Sequence, residues 1–146
     1  MIKTRFFVKS DIQKCTELYI KVFNSEPWND RWSEQLAIEY FQDVWNTPGF
    51  EGFVIEDCYS IVGFVIGARK KWWSGDIFYL YEMCVDHAYQ GKGIGTQLLN
   101  DTKDSLINKG FTSIVLLTER TFPSAAFYKK QGFLESADTR FYFCSL

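Results

Sequence analysis

The stretch QGKGIG, residues 90–95, sets three alternating glycines, Gly91, Gly93 and Gly95, between an apolar run and a segment of helical periodicity. The run before it, IFYLYEMCV, is β-rich and ends at Val85. After it, Ile94, Leu98, Thr102 and Leu106 recur every four residues, and Lys109-Gly110 supplies a C-terminal stop. Then FTSIVLLTE is nearly all apolar at its centre, as expected for a strand covered on both faces. Strand, glycine turn, helix and strand make a β-α-β unit with a right-handed crossover and parallel strands. The glycines therefore stand at a helix N-terminus, where main-chain N–H groups lack intrahelical acceptors and the dipole is positive. A phosphate or pyrophosphate finds donors and favourable charge there, and glycine lets it approach the backbone. A flexible turn is the plainer alternative, comfortable with one glycine and less so with three.

The rest of the chain reads as one domain over residues 1–146, with no internal repeat or linker at which to cut it. IKTRFFV is β-rich, and Ser10 with Asp11 offers capping chemistry for a helix to about Phe23. NSEPWNDRWS interrupts; Ser33 and the period of Leu36, Tyr40, Phe41 and Val44 then predict a second helix that stops before NTPG. FEGFVIE, YSIVGFVIGARKKWW and IFYLYEMCV, separated by turn formers, predict an antiparallel meander. Pro123 opens a short helix closed by Gly132, and TRFYFCSL alternates as a final strand.

Composition excludes several classes. A net charge of −2, with charges spread along the chain, provides no basic stripe to neutralise phosphates, so nucleic acid is not an expected partner. A cationic small substrate is electrostatically tolerable. Cys15, Cys58, Cys84 and Cys144 stand far apart with no histidine at ligand spacing, so no metal site is expected and the thiols read as reduced, in a cytoplasmic setting. MIKTRFFVKSD lacks the apolar core of a signal peptide, and no run of about 18 apolar residues spans a bilayer.

Two familiar anion-binding motifs fail. A dinucleotide fingerprint needs a glycine where Thr96 stands, and a Walker A loop needs GK[ST] where Thr96-Gln97 stands. The segment instead resembles the motif [QR]xxGx[GA] of the GNAT superfamily of N-acetyltransferases, matched by Gln90, Gly93 and Gly95. EMCVD is similar to that family's fourth strand ending in Val-Asp, and SAAFYKKQGF to its last helix and following strand, with the Phe-Tyr and Gly-Phe pairs in place. His87 departs from the pattern, which commonly has proline there; as a turn residue it is not the expected base. The resemblance covers essentially the whole chain. It implies an α/β (α+β) domain whose mixed, mostly antiparallel sheet has about six to seven strands, one parallel pair splayed, flanked by four helices.

The same resemblance implies acetyl-CoA as cosubstrate, its pyrophosphate held by the loop Gln90, Gly91, Lys92, Gly93, Ile94, Gly95 and Thr96. Main-chain groups near Met83, Cys84 and Val85 would bond the pantetheine and polarise the thioester, although these three are equally ordinary core residues. Glu82, a carboxylate inside an apolar strand, needs a partner or a purpose: it assists loss of the amine proton, or it forms a structural ion pair or faces solvent. Tyr128 falls where the family's tyrosine donates to the departing sulfur, with packing as the alternative role. Glu26, Trp28 and Asn29, between the first two helices, fall in the region that shapes the acceptor site, with Trp72 and Trp73 candidates for its surroundings. Trp32 serves there or as a staple between helices and sheet. This loop is also similar to that of bacterial enzymes labelled aminoglycoside-type acetyltransferases.

The expected function is acetyl transfer to a primary amine, cationic or planar, by direct attack in a ternary complex. Cys84 invites a covalent route, yet it has no histidine beside it and sits in an apolar strand. A non-catalytic acyl-CoA-binding or regulatory module is the alternative class, and a nucleotide-phosphate binder a third. The edge strands of such a sheet also leave room for a homodimer.

Overall fold

The computed structural model describes residues 1–146. Strand β1 (Ile2–Phe6) is followed by helices α1 (Ile12–Phe23) and α2 (Glu34–Trp45), then by strands β2 (Phe50–Asp57), β3 (Ser60–Lys70) and β4 (Ile77–Val85). Helix α3 (Ile94–Asn108), strand β5 (Ser113–Val115) and helix α4 (Pro123–Lys130) complete the order. The sheet runs β1-β2-β3-β4-β5, antiparallel through β4, with β5 parallel to β4. No helix is long and apolar enough to cross a membrane.

Local chemistry explains most of these boundaries. The Ser33 hydroxyl accepts from the Leu36 N–H at 3.1 Å and caps α2. Asp11 precedes α1 but does not cap it through its side chain. It is buried, and takes two hydrogen bonds from the Arg5 guanidinium at 2.8 and 2.9 Å and one from the Val8 N–H. Arg5 also reaches Glu56 at 2.7 Å, so one guanidinium ties β1 and β2 to the entry of α1. Cys58 and Tyr59 both adopt positive φ, 48° and 70°, in the two-residue turn from β2 to β3.

The sheet separates two apolar layers. On one face α1 and α2 gather Leu18, Tyr19, Val22 and Phe41 over Val54, Phe64 and Ile66. On the other, α3 lays Ile94, Leu98 and Leu106 against Phe53, Val65, Phe78 and Leu80. The buried Thr102 hydroxyl is satisfied by the Leu98 carbonyl at 2.8 Å, so the one polar side chain on that helix face costs little.

The α/β class, the antiparallel run, the parallel pair and the four helices are as expected; the strand count is smaller. Five strands form rather than six or seven. FTSIVLLTE is shorter than its apolar length suggests, because only Ser113–Val115 meets β4, opposite Ile77–Tyr79, before the two strands diverge. TRFYFCSL forms no strand: alternation marks a segment able to pair, and no backbone N–H or C=O of residues 134–146 bonds to another backbone group.

Candidate active site

The site begins with an irregularity in β4. Its pairing with β3 runs from Lys70↔Ile77 to Gly67↔Leu80 and resumes at Ile66↔Glu82, leaving Tyr81 as an extra residue. Side chains alternate along a strand, so one extra residue reverses the face taken by all that follow. Phe78 and Leu80 pack under α3. Glu82 and Cys84, two and four positions on, turn instead toward α1 and α2, while Met83 and Val85 take the α3 side. Gly67 makes the bulge fit: a Cβ there would lie 2.1 Å from the Tyr79 carbonyl oxygen and 2.7 Å from the Phe78 ring.

Glu82 thus enters a group of aromatic side chains. Its Oε1 accepts from the Tyr19 hydroxyl at 3.1 Å and the Tyr40 hydroxyl at 3.0 Å; no side chain bonds Oε2. Burial pushes its carboxyl up to about 7, against the two tyrosine hydrogen bonds that pull it down, with a further push from the negative charge of Asp30. Both tyrosines rise above the ordinary phenol value, first by burial and then by the Glu82 charge, so they remain donors. Sequence reasoning marked Glu82 as a carboxylate in an apolar strand but missed Tyr19, Tyr40 and Asp30. The signal for the tyrosines was a hydroxyl on an otherwise apolar helix face.

Around this centre the α1–α2 loop is layered in rings. Trp32 stacks on Tyr40 at 5.4 Å with planes 15° apart, meets Tyr19 edge-on at 5.2 Å, and donates from Nε1 to Asp30 at 3.1 Å. It staples the helix pair. Trp28 packs on Phe23 at 4.7 Å and meets Phe122, the residue before α4, edge-on at 6.1 Å. Glu26 and Asn29 beside it are exposed. Trp72 and Trp73 stand exposed in the turn before β4, with the Lys70 ammonium over the Trp72 ring, and share no ring contact with this group.

Tyr128 lies on α4, half-buried, its ring against Phe127 and Phe133, each at 5.3 Å. Burial raises its phenol above the ordinary value, and the Glu82 charge raises it further, which brings the two groups into one electrostatic neighbourhood. No group of the chain bonds its hydroxyl, yet the oxygen is not sealed from solvent. Gln131 fixes the helix to α3, donating to the Thr96 hydroxyl at 3.0 Å while its carbonyl takes the Lys103 ammonium at 2.6 Å.

Past the bulge, the side of β4 that faces β5 has no partner strand from Leu80 to Val85. That free edge leads into the glycine turn. Asp86 accepts from the Ala88 N–H at 3.0 Å and pairs with Lys21 at 3.0 Å, starting a short turn at whose head His87 is exposed. Gln90 donates from its side chain to the Val85 carbonyl at 3.0 Å, and Lys92 lies over the Tyr89 ring. Gly93 precedes α3 at φ 79°, a left-handed conformation that glycine takes without strain. The main-chain N–H groups of residues 91–96 find no acceptor within the chain. Nothing lies within 4 Å of where a Cβ would stand on Gly91 or Gly93, whereas at Gly95 the Phe127 ring would be 3.3 Å away. Donors without acceptors, at a helix N-terminus with open space above them, fit a diphosphate.

The structure is similar to that of an aminoglycoside acetyltransferase from an uncultured soil metagenomic sample, crystallised with sisomicin: 21% identity, TM-score 0.77, covering 99% of this chain and 97% of that one. It is similar to aminoglycoside N-acetyltransferase AAC(6')-Iy in complex with CoA, at 16% identity and TM-score 0.76, over 100% of this chain and 96% of that one. A GNAT family acetyltransferase of Staphylococcus aureus gives 16% identity and TM-score 0.74, over 99% and 98% of the two chains. In sequence, residues 12–133 match the acetyltransferase (GNAT) family. With the bulged fourth strand, the splayed parallel pair and the glycine turn all inside that match, the chain belongs to the GNAT acetyltransferase family.

Proposed function

We propose that this protein transfers an acetyl group from acetyl-CoA to a primary amine of a small molecule or peptide, by direct attack while both substrates are bound. One observation carries the proposal: Glu82, with a carboxyl near neutrality, is held by two tyrosines beside a strand edge that leads to the free N–H groups of residues 91–96. Those N–H groups, from Gly91, Lys92, Gly93, Ile94, Gly95 and Thr96, would hold the diphosphate, and the main chain of Met83, Cys84 and Val85 the pantetheine arm. Gln90 keeps the end of β4 in place through Val85. When bound, acetyl-CoA supplies a thioester, an acyl electrophile that needs a neutral amine and a stabilised leaving sulfur.

The chain provides for both needs. Near neutral pH about half of Glu82 is ionised, and its unbonded oxygen can take the proton of an ammonium directly or through water. Tyr128 keeps its proton at all physiological pH, so its unpartnered hydroxyl can donate to a developing thiolate without ionising first. Cys84 makes a poor nucleophile: burial drives its thiol well above the ordinary value, so it stays protonated. Asp30, bonded to the Trp32 indole, and Glu82, bonded to the Tyr40 hydroxyl whose ring stacks on Trp32, place negative charge beside these rings, with Glu26 two residues before Trp28 in the same loop, an environment that favours an ammonium group over an anion. Two of the structural relatives are named for aminoglycosides, which are amines of this cationic kind.

The test is a panel of amines offered with acetyl-CoA: polyamines, aminoglycosides, amino acids and peptide N-termini, reading thiol release and confirming the acetylated product by mass. At least one cationic amine should be turned over. Tight CoA binding with no transfer to any amine would make the protein an acyl-CoA-binding module instead. Displacement of CoA by ATP would return it to the nucleotide binders.

A further inference from the structure

One charged and aromatic segment takes no part in the site. Residues 69–73 read Arg-Lys-Lys-Trp-Trp: the only run of three like charges in the chain leads straight into its only pair of adjacent tryptophans. Arg69 and Lys70 end β3, and the turn over residues 71–76 leads into β4. Trp28, Trp32 and Trp45 pack against the core gathered by α1 and α2, whereas Trp72 and Trp73 are 50% and 89% exposed.

The turn that carries these two indoles is fixed at its base. The Arg69 N–H donates to the Gly49 carbonyl at 2.9 Å, and the Gly75 N–H donates to the Trp72 carbonyl at 3.1 Å. The Asp76 carbonyl takes both the main-chain N–H and the hydroxyl of Thr112, at 2.9 and 3.1 Å. A Cβ on Gly75 would lie 2.4 Å from the Thr112 side chain, so the turn is seated against the entry to β5. A well-held turn thus keeps two large apolar rings in water, where they gain nothing from their own chain. The charge around them is positive. The carboxylates of the turn and the neighbouring strand, Asp76 and Glu51, are each matched by a lysine, Lys71 at 3.6 Å and Lys109 at 2.7 Å. No carboxylate pairs with Arg69 or Lys70, and the Lys70 ammonium lies 4.7 Å from the centre of the Trp72 ring.

We propose that this turn docks the protein on an anionic lipid surface, with Trp72 and Trp73 at headgroup level and Arg69, Lys70 and Lys71 facing the lipid anions. An indole settles at the boundary of water and hydrocarbon because its ring is apolar and its N–H polar, and cations beside it gain from the negative surface potential. A protein partner fits less well. A stable interface takes about 800 Å² from each side, more than a turn of a few residues offers, and such interfaces are depleted in lysine. Three cations are likewise too few to grip a nucleic acid, which is held through many phosphates. The glycine turn follows Val85, at the other end of β4 from Ile77, so docking leaves the N–H groups of residues 91–96 open to water.

The test is co-sedimentation of the full chain with vesicles of phosphatidylcholine, with or without about 30% phosphatidylserine. The parent should bind the serine-containing vesicles, ignore the neutral ones, and come off as salt is raised. Trp72→Ser with Trp73→Ser should lower partitioning at least about tenfold. Arg69→Gln with Lys70→Gln should lower it about thirtyfold, about fivefold for each cation removed. Both double variants should keep the parent's circular dichroism, because none of the four side chains is buried. A parent that binds neither vesicle, or binds both equally, would overturn the docking, as would undiminished binding by either double variant. Retention on immobilised polyglutamate without vesicle binding would overturn it as well and assign the turn to an acidic protein.

Discussion

Glu82→Gln is expected to stabilise the protein above neutral pH while removing its proton acceptor. Burial lifts the Glu82 carboxyl from 4.5 to about 7 in the folded chain. Between those values the folded state holds a proton that the unfolded chain has released, so stability falls as pH rises through the window. Below it the carboxyl is protonated in both states and carries no penalty; above it the group is ionised in both and the penalty is complete. At about 1.4 kcal/mol per pH unit the interval corresponds to about 3 kcal/mol. Glutamine keeps the shape and an oxygen for Tyr19 and Tyr40, and never ionises. Urea unfolding of parent and variant should agree within about 1 kcal/mol near pH 4 and differ by about 3 kcal/mol in the variant's favour at pH 8. Turnover should move the other way, falling most near pH 6 to 7 and recovering as the amine loses its proton unaided toward its own pKa of about 10. An equal stability difference at both pH values would mean that Glu82 ionises in the folded chain as it does in water. It would then have no special claim as a base near neutrality.

Three further substitutions bear on the same site. Tyr40→Phe removes one of the hydrogen bonds that hold the Glu82 carboxyl down, so the rising limb of the pH–rate profile should move up by about one pH unit; an unmoved limb would detach that limb from Glu82. Tyr128→Phe loses no hydrogen bond within the chain, so unfolding free energy should hold within about 0.5 kcal/mol and CoA affinity should be unchanged, while turnover falls about a hundredfold; turnover within about twofold would make Tyr128 a packing residue. Gly93→Val meets nothing inside the chain but opposes φ 79° and crowds the space above the free N–H groups, so calorimetry should show CoA affinity reduced at least about tenfold; unchanged affinity in the folded variant would place the diphosphate elsewhere.

What was legible in the sequence was local. The Ser33 cap, the four-residue period of α3 and the alternating glycines each express a physical need met within a few residues, and each took the expected form. What was not legible depends on chain brought from far away. Glu82 meets Tyr19 and Tyr40 across 63 and 42 residues, and it does so only because Tyr81 is extra in the ladder. Strict alternation from Phe78 would have aimed Glu82 at the aliphatic layer under α3, with no donor to meet it. The bulge is set by pairing with β3 and by the absence of a side chain at Gly67, neither of which IFYLYEMCV contains.

The same distinction explains the missing strands. An apolar run such as FTSIVLLTE states what a strand requires, cover on two faces and partners on two edges, and TRFYFCSL states what another strand could supply. Neither says whether the fold brings the two together. The single chain shows the requirement unmet at Val115 and Leu117 and the supply unspent at Phe141 and Phe143. Five strands form rather than six or seven because only three residues of the first run meet β4 and the second pairs with no strand.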